Sequence, residues 1–255
     1  MMARRLTEAR PLQGTLPLRG VPIVVSRDRV VGCQWLIDHF KVEVILLDDG
    51  YQHLRLHRDL NILLIDTTQT NTALLPKGPM REPLVAARRA DVVLLTRQEA
   101  ASPPSQAAGA IKMLDTAGFT GPILQTAFYP VALIGLTSGI SRPVSTLLSE
   151  PIVAVCGLGN PNAFIKMLEQ LGAKICDTVL FPDHFDYTVA DMQKIEIKRK
   201  ALGAKTMIVT TEKDAVKIAL LPIESIDIWA LRICITFLDP PEKWERLLAT
   251  KTRLR

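Results

Sequence analysis

The sequence has no paired cysteines, no long apolar run and no signal-peptide pattern. Its four cysteines (Cys33, Cys156, Cys176 and Cys234) form no Cys-x-x-Cys pair. The last three lie in apolar runs, which favours buried thiols in a reduced cytosolic protein over a disulfide framework. No apolar stretch approaches the roughly 20 residues that a membrane helix needs. The basic start, MMARRLTEARPLQG, lacks the apolar region of a secretory signal peptide.

The overall composition is that of a soluble globular protein. Of 255 residues, 48% are hydrophobic and 22% are charged. This length suits one large domain or two modest ones. The net charge of +5 and the pI near 9.1 suit a partner that carries phosphate or an acidic membrane surface, but they identify neither.

Strand patterns alternate with helical patterns along the chain, which predicts an α/β fold. Strands are predicted at 21–26, 42–49, 61–66, 91–97, 152–156, 173–181, 206–211 and 226–237, and helices at 29–40, 98–114, 162–172, 189–202 and 240–249. The continuously apolar runs at 42–49 and 61–66 are typical of parallel strands covered on both faces. A turn-rich stretch near 134–139 separates two series of elements. We therefore expect a leader, 1–20, a larger part, 21–145, and a smaller α/β part, 146–255.

An acid pair, Asp48 and Asp49, ends the predicted strand 42–49 within the stretch DDGYQH. Two carboxylates at the end of a buried strand are costly without a cation. A strand that ends in Asp is the form of a Walker-B element, which holds Mg²⁺ in P-loop enzymes. A single acid here is as readily explained as a helix cap or turn residue. The pair, with Gln52 and His53 close behind, favours a Mg²⁺ site.

The stretch HLRLH places His53 and His57 four residues apart. On a helix this spacing suits a zinc site. Leu54 and Leu56 alternate with the polar residues, however, which is the period of a strand. We therefore expect no zinc site, a functional role for His53 and a surface position for His57.

The loop LLPKGPMREP (74–83) carries Lys77, Arg81 and Glu82 between prolines and a glycine. A basic loop near an acid pair is what phosphoryl transfer uses, because cations hold phosphate oxygens while carboxylates hold Mg²⁺. An ordinary charged surface loop explains this stretch equally well when it is taken alone.

A histidine between two acids, His184 of FPDHFDYT (181–188), is a candidate acid or base. Asp183 or Asp186 can hold the imidazole in one tautomer, although a histidine in a turn is more often structural. TTEKD (210–214) either caps a helix or places Lys213 near phosphate. GLGNP (157–161) lacks the spacing of a dinucleotide loop and any Walker lysine, and is weak by itself.

Together these stretches resemble the tetraacyldisaccharide 4'-kinases, the lipid A 4'-kinases of Gram-negative bacteria. The matching pieces keep the family's order and are SRDR (26–29), DDGYQHLRLHRDLNILLID (48–66), LLPKGPMREP (74–83), CGLGNP (156–161), FPDHFDYT (181–188) and TEKDA (211–215). The resemblance covers nearly the whole chain from about residue 21 onward. The combination of DDG-x-QH, RDL and GP-x-RE is highly specific to this family.

The resemblance implies a P-loop-kinase-like parallel sheet and transfer of the ATP γ-phosphoryl group to the 4'-hydroxyl of tetraacyldisaccharide 1-phosphate. It implies ATP and Mg²⁺ as cofactors and the lipid A disaccharide precursor as partner. It also implies a cytoplasmic protein peripheral to the inner membrane, at its cytoplasmic face, without a nucleic-acid partner.

The resemblance also implies roles for individual residues. The implied metal ligands are Asp48, Asp49 and Glu82, the catalytic residues are His184 and Asp49, the nucleotide contacts are Asp48, Gln52, His53 and Arg81, and the substrate contacts are Arg27 and Arg29. Lys77 is added to the nucleotide contacts from its charge and its place in the loop, since the family pattern does not assign it.

The sequence departs from the family pattern at two motifs. It contains no Gly-Lys-Thr or Gly-Lys-Ser, and hence no Walker A loop to cradle the β- and γ-phosphates. The Gly-Asp-Glu-Pro motif, whose Asp partners the catalytic His, is replaced by TEARPLQG (7–14). From the first twenty residues we expect a shortened chain with an exposed sheet edge, a tendency to aggregate, and impaired or absent activity.

The residues alone leave two other functions open. Asp48, Asp49, His53, Asp183 and His184 can be combined into a metal-dependent phosphoesterase site, for which a dinuclear metal signal is the test. Alternatively, the chain is a remnant that folds or binds without catalysis.

Overall fold

The computed structural model of the protein describes residues 21–69, 71–98, 104–223 and 225–251. The described part is a mixed α/β fold with mostly parallel strand pairs, as predicted. Its contacts divide the chain into two units. The first comprises residues up to Ala127 together with Thr236 onward, and the second comprises Phe128–Ile235. The predicted boundary between 145 and 146 lies inside the second unit, and as a division between functional parts it stays a prediction.

The first unit contains a short parallel sheet. Strand β1 (Ile62–Asp66) pairs with β2 (Val92–Thr96), and β2 pairs with the beginning of β3 (Ile123–Gly135). The helices of this unit are α1 (Arg29–His39), α2 (Pro104–Thr116) and α6 (Pro241–Lys251), with a 3-10 helix at Leu84–Arg89. None of the chain's helices is long and apolar enough to span a membrane, as far as the described ranges go.

Strand β2 explains why a continuous apolar run forms a strand here. Successive side chains point to opposite faces of a sheet. Val93 and Leu95 pack with residues of α2, such as Leu114, whereas Val92 and Leu94 pack with residues of α6. All five residues of β2 are buried as a result.

Two predicted strands of the first unit are wrong. Residues 21–26 and 42–49 have no strand assignment, and Val21 and Leu46 are 85% and 90% exposed. An apolar run becomes a strand only when a neighbouring strand accepts its backbone hydrogen bonds, and neither segment has such a neighbour within the described residues. Cover on both faces is also wrong for β1, because Leu64 is 57% exposed and β1 ends the strand order.

The second unit holds the larger sheet. Its further strands are β4 (Ser141–Arg142), β5 (Pro151–Cys156), β6 (Lys174–Leu180), β7 (Met207–Thr211) and β8 (Ile228–Phe237). The strand order is β3-β8-β7-β5-β6, and β4 lies antiparallel to β3. Strand β5 pairs in parallel with both β6 and β7, and β7 with β8.

Helices cover both faces of β5. These helices are α3 (Pro161–Gln170), α4 (Val189–Leu202) and α5 (Glu212–Ile218), and a 3-10 helix lies at Val144–Leu148. Ile152 and Ala154 belong to one buried cluster with Leu168 of α3. Val153 and Val155 belong to another, which includes Met192 and Ile195 of α4. The sheet core of this unit is therefore closed on two sides.

Local signals fix the helix ends in this unit. Thr188 and Asp191 form a reciprocal capping box at the start of α4. Gly172 ends α3 with a φ of +75°, the left-handed conformation that a glycine adopts at low cost. Both agree with the predicted helices at 162–172 and 189–202.

The cysteine prediction holds only in part. All four cysteines are free thiols and Cys156 is buried, but Cys176 and Cys234 are exposed. Cys176 lies on β6, where exposed and half-buried residues alternate, and Cys234 lies in the exposed second half of β8. An apolar run thus did not by itself indicate burial.

Candidate active site

The DDGYQH stretch forms a tight turn. Asp49 has a φ of +51°, which is unusual for a residue other than glycine. Gly50 is buried, and a Cβ added to it would lie 2.7 Å from the Leu47 Cβ. Crowding by the Leu47 side chain therefore disfavours any residue larger than glycine at this position. Asp48 and Asp49 are both exposed, contrary to the expected end of a buried strand.

Arg58 holds this turn together. Its Nη1 donates to the carbonyl oxygens of Gly50 at 2.9 Å and His53 at 2.7 Å, and its Nε donates to the Asn61 side chain. The Asn61 amide in turn donates to Asp91 Oδ2 at 2.8 Å. In the sequence, the one indication of this role was that Arg58 begins the stretch RDL (58–60), which matches the family pattern.

The HLRLH segment is neither helix nor strand, so its predicted strand period is wrong. Turn hydrogen bonds join the Leu54 amide to the Gln52 carbonyl at 3.0 Å and the Leu56 amide to the His53 carbonyl at 3.4 Å. His57 is exposed, as predicted. The Nε2 of His53 is buried and has no hydrogen-bond partner among the described residues.

The loop 74–83 brings a basic residue to the acid pair. Arg81 Nη1 lies 2.5 Å from Asp49 Oδ2, and both side chains are more than half exposed. Lys77 is exposed on the same loop. Gly78 packs so closely on the Ala73 carbonyl that a Cβ would collide with it. The predicted approach of a basic loop to the acid pair is therefore present as an Arg81–Asp49 contact.

Glu82 has a different partner. Its Oε2 lies 2.6 Å from Arg89 Nη2, and the Arg89 guanidinium also stacks over the Tyr51 ring, 5.0 Å from its centroid. The Tyr51 hydroxyl donates to the Ala86 carbonyl at 2.7 Å. The 3-10 helix Leu84–Arg89 thus links Glu82 to the DDGYQH turn through Arg89 and Tyr51.

The acid pair fits one form of magnesium site. Within the described residues, no group of three or more His, Cys, Asp or Glu side chains is arranged to hold a metal. Mg²⁺ is often held by only one or two carboxylates, with phosphate oxygens and water completing its octahedron. Asp48 and Asp49 are suitable donors for that arrangement. The dinuclear phosphoesterase site gains no support from this geometry.

The predicted substrate arginines flank the start of α1. Arg27 is exposed, and Arg29 donates to the Ser26 carbonyl. Asp28 between them caps the helix, with its Oδ1 2.9 Å from the Val30 amide. Gln52 is exposed on the DDGYQH turn. The roles of these residues stay predictions.

A polar cluster was missed at the carboxyl ends of β1 and β2, where ligands of α/β sheets bind; its Thr67 and Gln98 are buried, whereas Arg97 and Asp66 are partly exposed. Arg97, with a φ of +63°, donates to Asp66 Oδ2 at 2.7 Å. Thr67 donates to the Thr96 carbonyl at 3.0 Å, and the Gln98 side chain donates to Thr67. Threonine and glutamine after a strand carried no recognisable sequence signal.

The second unit carries the histidine candidate on the loop 181–187, here called the His184 loop. His184 has a φ of +58° and a side chain that is 75% exposed. Its Nε2 lies 3.8 Å from Asp183 Oδ2, while Lys213 Nζ lies 2.8 Å from Asp183 Oδ1. The Lys213 hydrogen bond holds the pKa of Asp183 below its usual value. Asp186 is fully exposed and lies 3.9 Å from Lys217.

TTEKD and GLGNP meet at a buried carboxylate. Asp214 is only 1% exposed. Its Oδ2 accepts from the Gly157 amide at 3.1 Å and from the Thr211 hydroxyl at 2.7 Å. Burial and, secondly, the Asp214 charge raise the pKa of Cys156 to about 11. The predicted helix cap is confirmed, because the Thr211 hydroxyl accepts from the Asp214 amide at 3.1 Å. The burial of Asp214 was not predicted.

Chemically, each unit supplies a distinct set of groups. The first presents exposed carboxylates and an arginine, which suit a metal–phosphate complex. The second presents an imidazole beside a carboxylate, which suits proton transfer. Parallel strands such as β6 and β7, which lead at their carboxyl ends into the His184 loop and TTEKD, are typical of nucleotide-dependent transferases with a P-loop-kinase-like fold.

Comparison with known proteins specifies the family. The model of the LpxK family, described as tetraacyldisaccharide-1-P 4'-kinase, matches residues 12–252. The chain therefore belongs to the tetraacyldisaccharide-1-P 4'-kinase family. The match begins at residue 12, inside the expected leader 1–20, and the separate character of that leader stays a prediction.

Several relatives are similar over most of this chain. The tetraacyldisaccharide 4'-kinase of Syntrophus aciditrophicus is 38% identical over 231 residues, which are 88% of this chain and 61% of the relative. That of Geobacter metallireducens is 33% identical, covering 90% of this chain and 65% of the relative. A crystal structure of LpxK from Aquifex aeolicus in complex with ATP has a TM-score of 0.66 and 30% identity, covering 89% and 63% of the two chains. This chain thus spans about three fifths of their length.

Proposed function

We propose that this chain takes part in ATP-dependent phosphoryl transfer to the 4'-hydroxyl of tetraacyldisaccharide 1-phosphate, the lipid A precursor. The family match over residues 12–252 carries the proposal. The similar Aquifex protein, whose structure holds ATP, supports ATP as the donor. The lipid substrate and the net charge of +5 support a position at the acidic cytoplasmic face of the inner membrane.

The first unit binds the phosphate end of the nucleotide in this proposal. Asp48 and Asp49 hold Mg²⁺, which when bound neutralises charge on the β- and γ-phosphate oxygens. Arg81, now on Asp49 at 2.5 Å, is exposed enough to turn to a phosphate oxygen. Lys77 adds charge from the same loop. Gln52 and His53 contact the nucleotide, and Glu82 joins the metal ligands only if it leaves Arg89.

The second unit handles the proton. His184 takes the proton of the 4'-hydroxyl as that oxygen bonds to the γ-phosphorus and the bond to the β–γ bridging oxygen breaks. Asp183 stabilises the resulting imidazolium from its place 3.8 Å from Nε2. The Lys213 hydrogen bond, which lowers the pKa of Asp183, also holds this carboxylate in place. Arg27 and Arg29 contact the lipid substrate.

The 255-residue sequence contains no Walker A motif, so the test must supply one. We would replace the matched region of the Syntrophus relative with this chain, and assay the 255-residue chain beside the chimera. The assay follows radioactive γ-phosphate from ATP into the lipid, with product structure confirmed by mass spectrometry. We expect 4'-phosphorylation by the chimera and little or none by the chain alone.

Two histidine substitutions in the chimera provide a test of the proposed base and its control. His184→Gln in the chimera should lower kcat by a factor on the order of 10²–10⁴, the usual contribution of a general base. His57→Gln changes an exposed histidine outside the candidate site and should leave kcat unchanged. A folded chimera that binds ATP yet transfers no phosphate would refute the proposal. Equal effects of the two variants would refute the role of His184.

A further inference from the structure

We propose that Asp214 is a positioning residue for His184, acting through the underside of the His184 loop. The inference rests on the proposed function, in which His184 takes the hydroxyl proton. Asp214 lies in the matching stretch TEKDA (211–215), but the resemblance assigns it no role. The buried carboxylate contacts the ends of two neighbouring parallel strands, β5 through Gly157 and β7 through Thr211.

The third strand end in this cluster is that of β6, from which the His184 loop starts. The Phe181 amide donates to the Cys156 carbonyl at 2.9 Å, directly before Gly157. A Cβ built on Gly157 would lie 2.9 Å from the Tyr187 hydroxyl and 3.3 Å from Asp214 Oδ1. The carboxylate and the last residue of the loop therefore face the same glycine. This close approach leaves no room for a larger residue at 157.

Aromatic packing transmits this position to the rest of the loop. The rings of Phe181, Phe185 and Tyr187 lie with centroids 4.4–5.3 Å apart. Such pairs favour defined relative orientations. His184 stands between the first two of these residues in sequence, with a left-handed φ that only a well-fixed loop maintains. The exposed imidazole is thus carried by a loop whose three aromatic side chains are half-buried or buried.

Helix α5 holds the loop from a second side. Lys213, the residue before Asp214, reaches Asp183 Oδ1 at 2.8 Å, and Lys217 donates to the Phe185 carbonyl at 2.8 Å. A shift of Asp214 would therefore displace α5 and both contacts together. Misplacement of a catalytic group by about 1 Å can cost on the order of 10²-fold in rate.

An amide of the same shape lacks the negative charge and one of the two acceptor oxygens of the carboxylate. The Gly157 amide and the Thr211 hydroxyl are both donors to Asp214 Oδ2. An ionised carboxylate only accepts, whereas an asparagine amide would also present an NH₂ group to these donors. Asp214→Asn therefore tests the network while keeping the side-chain volume.

The test uses the full chain with histidine labelled with ¹³C at Cε1, which gives one resonance for each of the four imidazoles, and His→Gln variants assign them. We expect Asp214→Asn to move the His184 resonance and to leave those of His39 and His57 in place. Thr211→Val, which removes one of the two donors to Asp214 Oδ2, should also move His184. Asp177→Asn removes a carboxylate of β6, in the same unit, that pairs with Lys198 of α4, and should move none of the four.

A cooperatively folded Asp214→Asn protein with an unmoved His184 resonance would overturn the inference. If that variant does not fold, an unmoved His184 resonance in Thr211→Val overturns it instead. In the chimeric kinase, Asp214→Asn should lower kcat per folded molecule by on the order of tenfold to a hundredfold with an unchanged KM for ATP. If the parent chimera transfers no phosphate, the proposed function fails, whereas the His184 resonance still decides the positioning role.

Discussion

The two candidate loops are held in opposite ways. In the first unit, the DDGYQH turn meets the loop 74–83 through Arg81 and Asp49, whose side chains are 57% and 60% exposed. In the second unit, the His184 loop lies over Asp214, which is 1% exposed. Exposed ion pairs contribute only about 0–1 kcal/mol and are screened by salt. Buried hydrogen-bonded groups are screened much less, and their loss costs more. We infer that the first loop can exchange its partners for ligand atoms, while the second is fixed beforehand.

The sheets beneath the loops differ in the same sense. Strand β5 is enclosed by helix side chains on both faces, and its residues 152–156 are buried. Strand β1 leaves Leu64 57% exposed. The second unit should accordingly resist local unfolding more strongly than the first.

The largest effect should come from the core of the second unit. Leu168 on α3 is fully buried, so Leu168→Ala should lower the free energy of unfolding by about 2–5 kcal/mol. Leu64→Ala on β1 should change it by less than about 0.5 kcal/mol, because that side chain is mostly in solvent. Urea unfolding followed by circular dichroism measures both. Similar losses from the two substitutions would show that the sheets are equally covered, and the comparison would fail.

The turn of the first unit should be more sensitive to the loss of Arg58 than to the loss of Arg55. Arg58→Met removes the donors to the Gly50 and His53 carbonyls and should cost about 1–3 kcal/mol, with faster hydrogen exchange at the His53 amide. Arg55→Met is the matched control. Arg55 is 78% exposed and lies 3.7 Å from Asp28, so its loss should cost less than about 0.5 kcal/mol. Unchanged exchange at His53 in Arg58→Met would disprove this account of the turn.

The sequence predicted those elements whose signals are local. The helix at 189–202 matches Val189–Leu202, because a capping box begins it and a glycine follows it. The strands at 21–26 and 42–49 failed, because pairing depends on a partner elsewhere in the chain. Strand β3 was missed because Pro130 interrupts its pattern, and proline lacks the amide that a central strand needs.

The candidate site shows the same limit. Residue type and order revealed the acid pair, the basic loop and His184, since these carry chemistry in their side chains. The partners did not follow from the sequence: Glu82 pairs with Arg89, and Asp214 is buried although it was treated as part of a cap. Burial and pairing are set by tertiary packing, which no short window of sequence contains.

A pair of glycine substitutions should have opposite signs in the two units. Gly172→Ala places a side chain at a φ of +75°, with its Cβ 2.6 Å from Leu148 Cδ2, and should cost about 1–2 kcal/mol. Gly109→Ala lies on the exposed side of α2 with no atom within 4 Å, and should stabilise the protein by up to about 1 kcal/mol. Thermal unfolding would measure both shifts. A lower Tm for Gly109→Ala would contradict the assigned position of that residue in α2.

The smallest effect concerns acid stability. Hydrogen bonds from Arg199, more than any other cause, hold the pKa of Glu196 on α4 below its ordinary value of 4.5. Because the pKa is lower in the folded state, Glu196 adds stability above pH 4.5 and loses that contribution as the pH falls through the folded value. Glu196→Gln should therefore be less stable than the parent at neutral pH, and the difference should shrink in acid. Glu169→Gln, exposed on α3, should show little difference at either pH. A gap for Glu196→Gln that stays constant down to acid pH in urea titrations would mean that the Arg199 contact carries no net charge stabilisation.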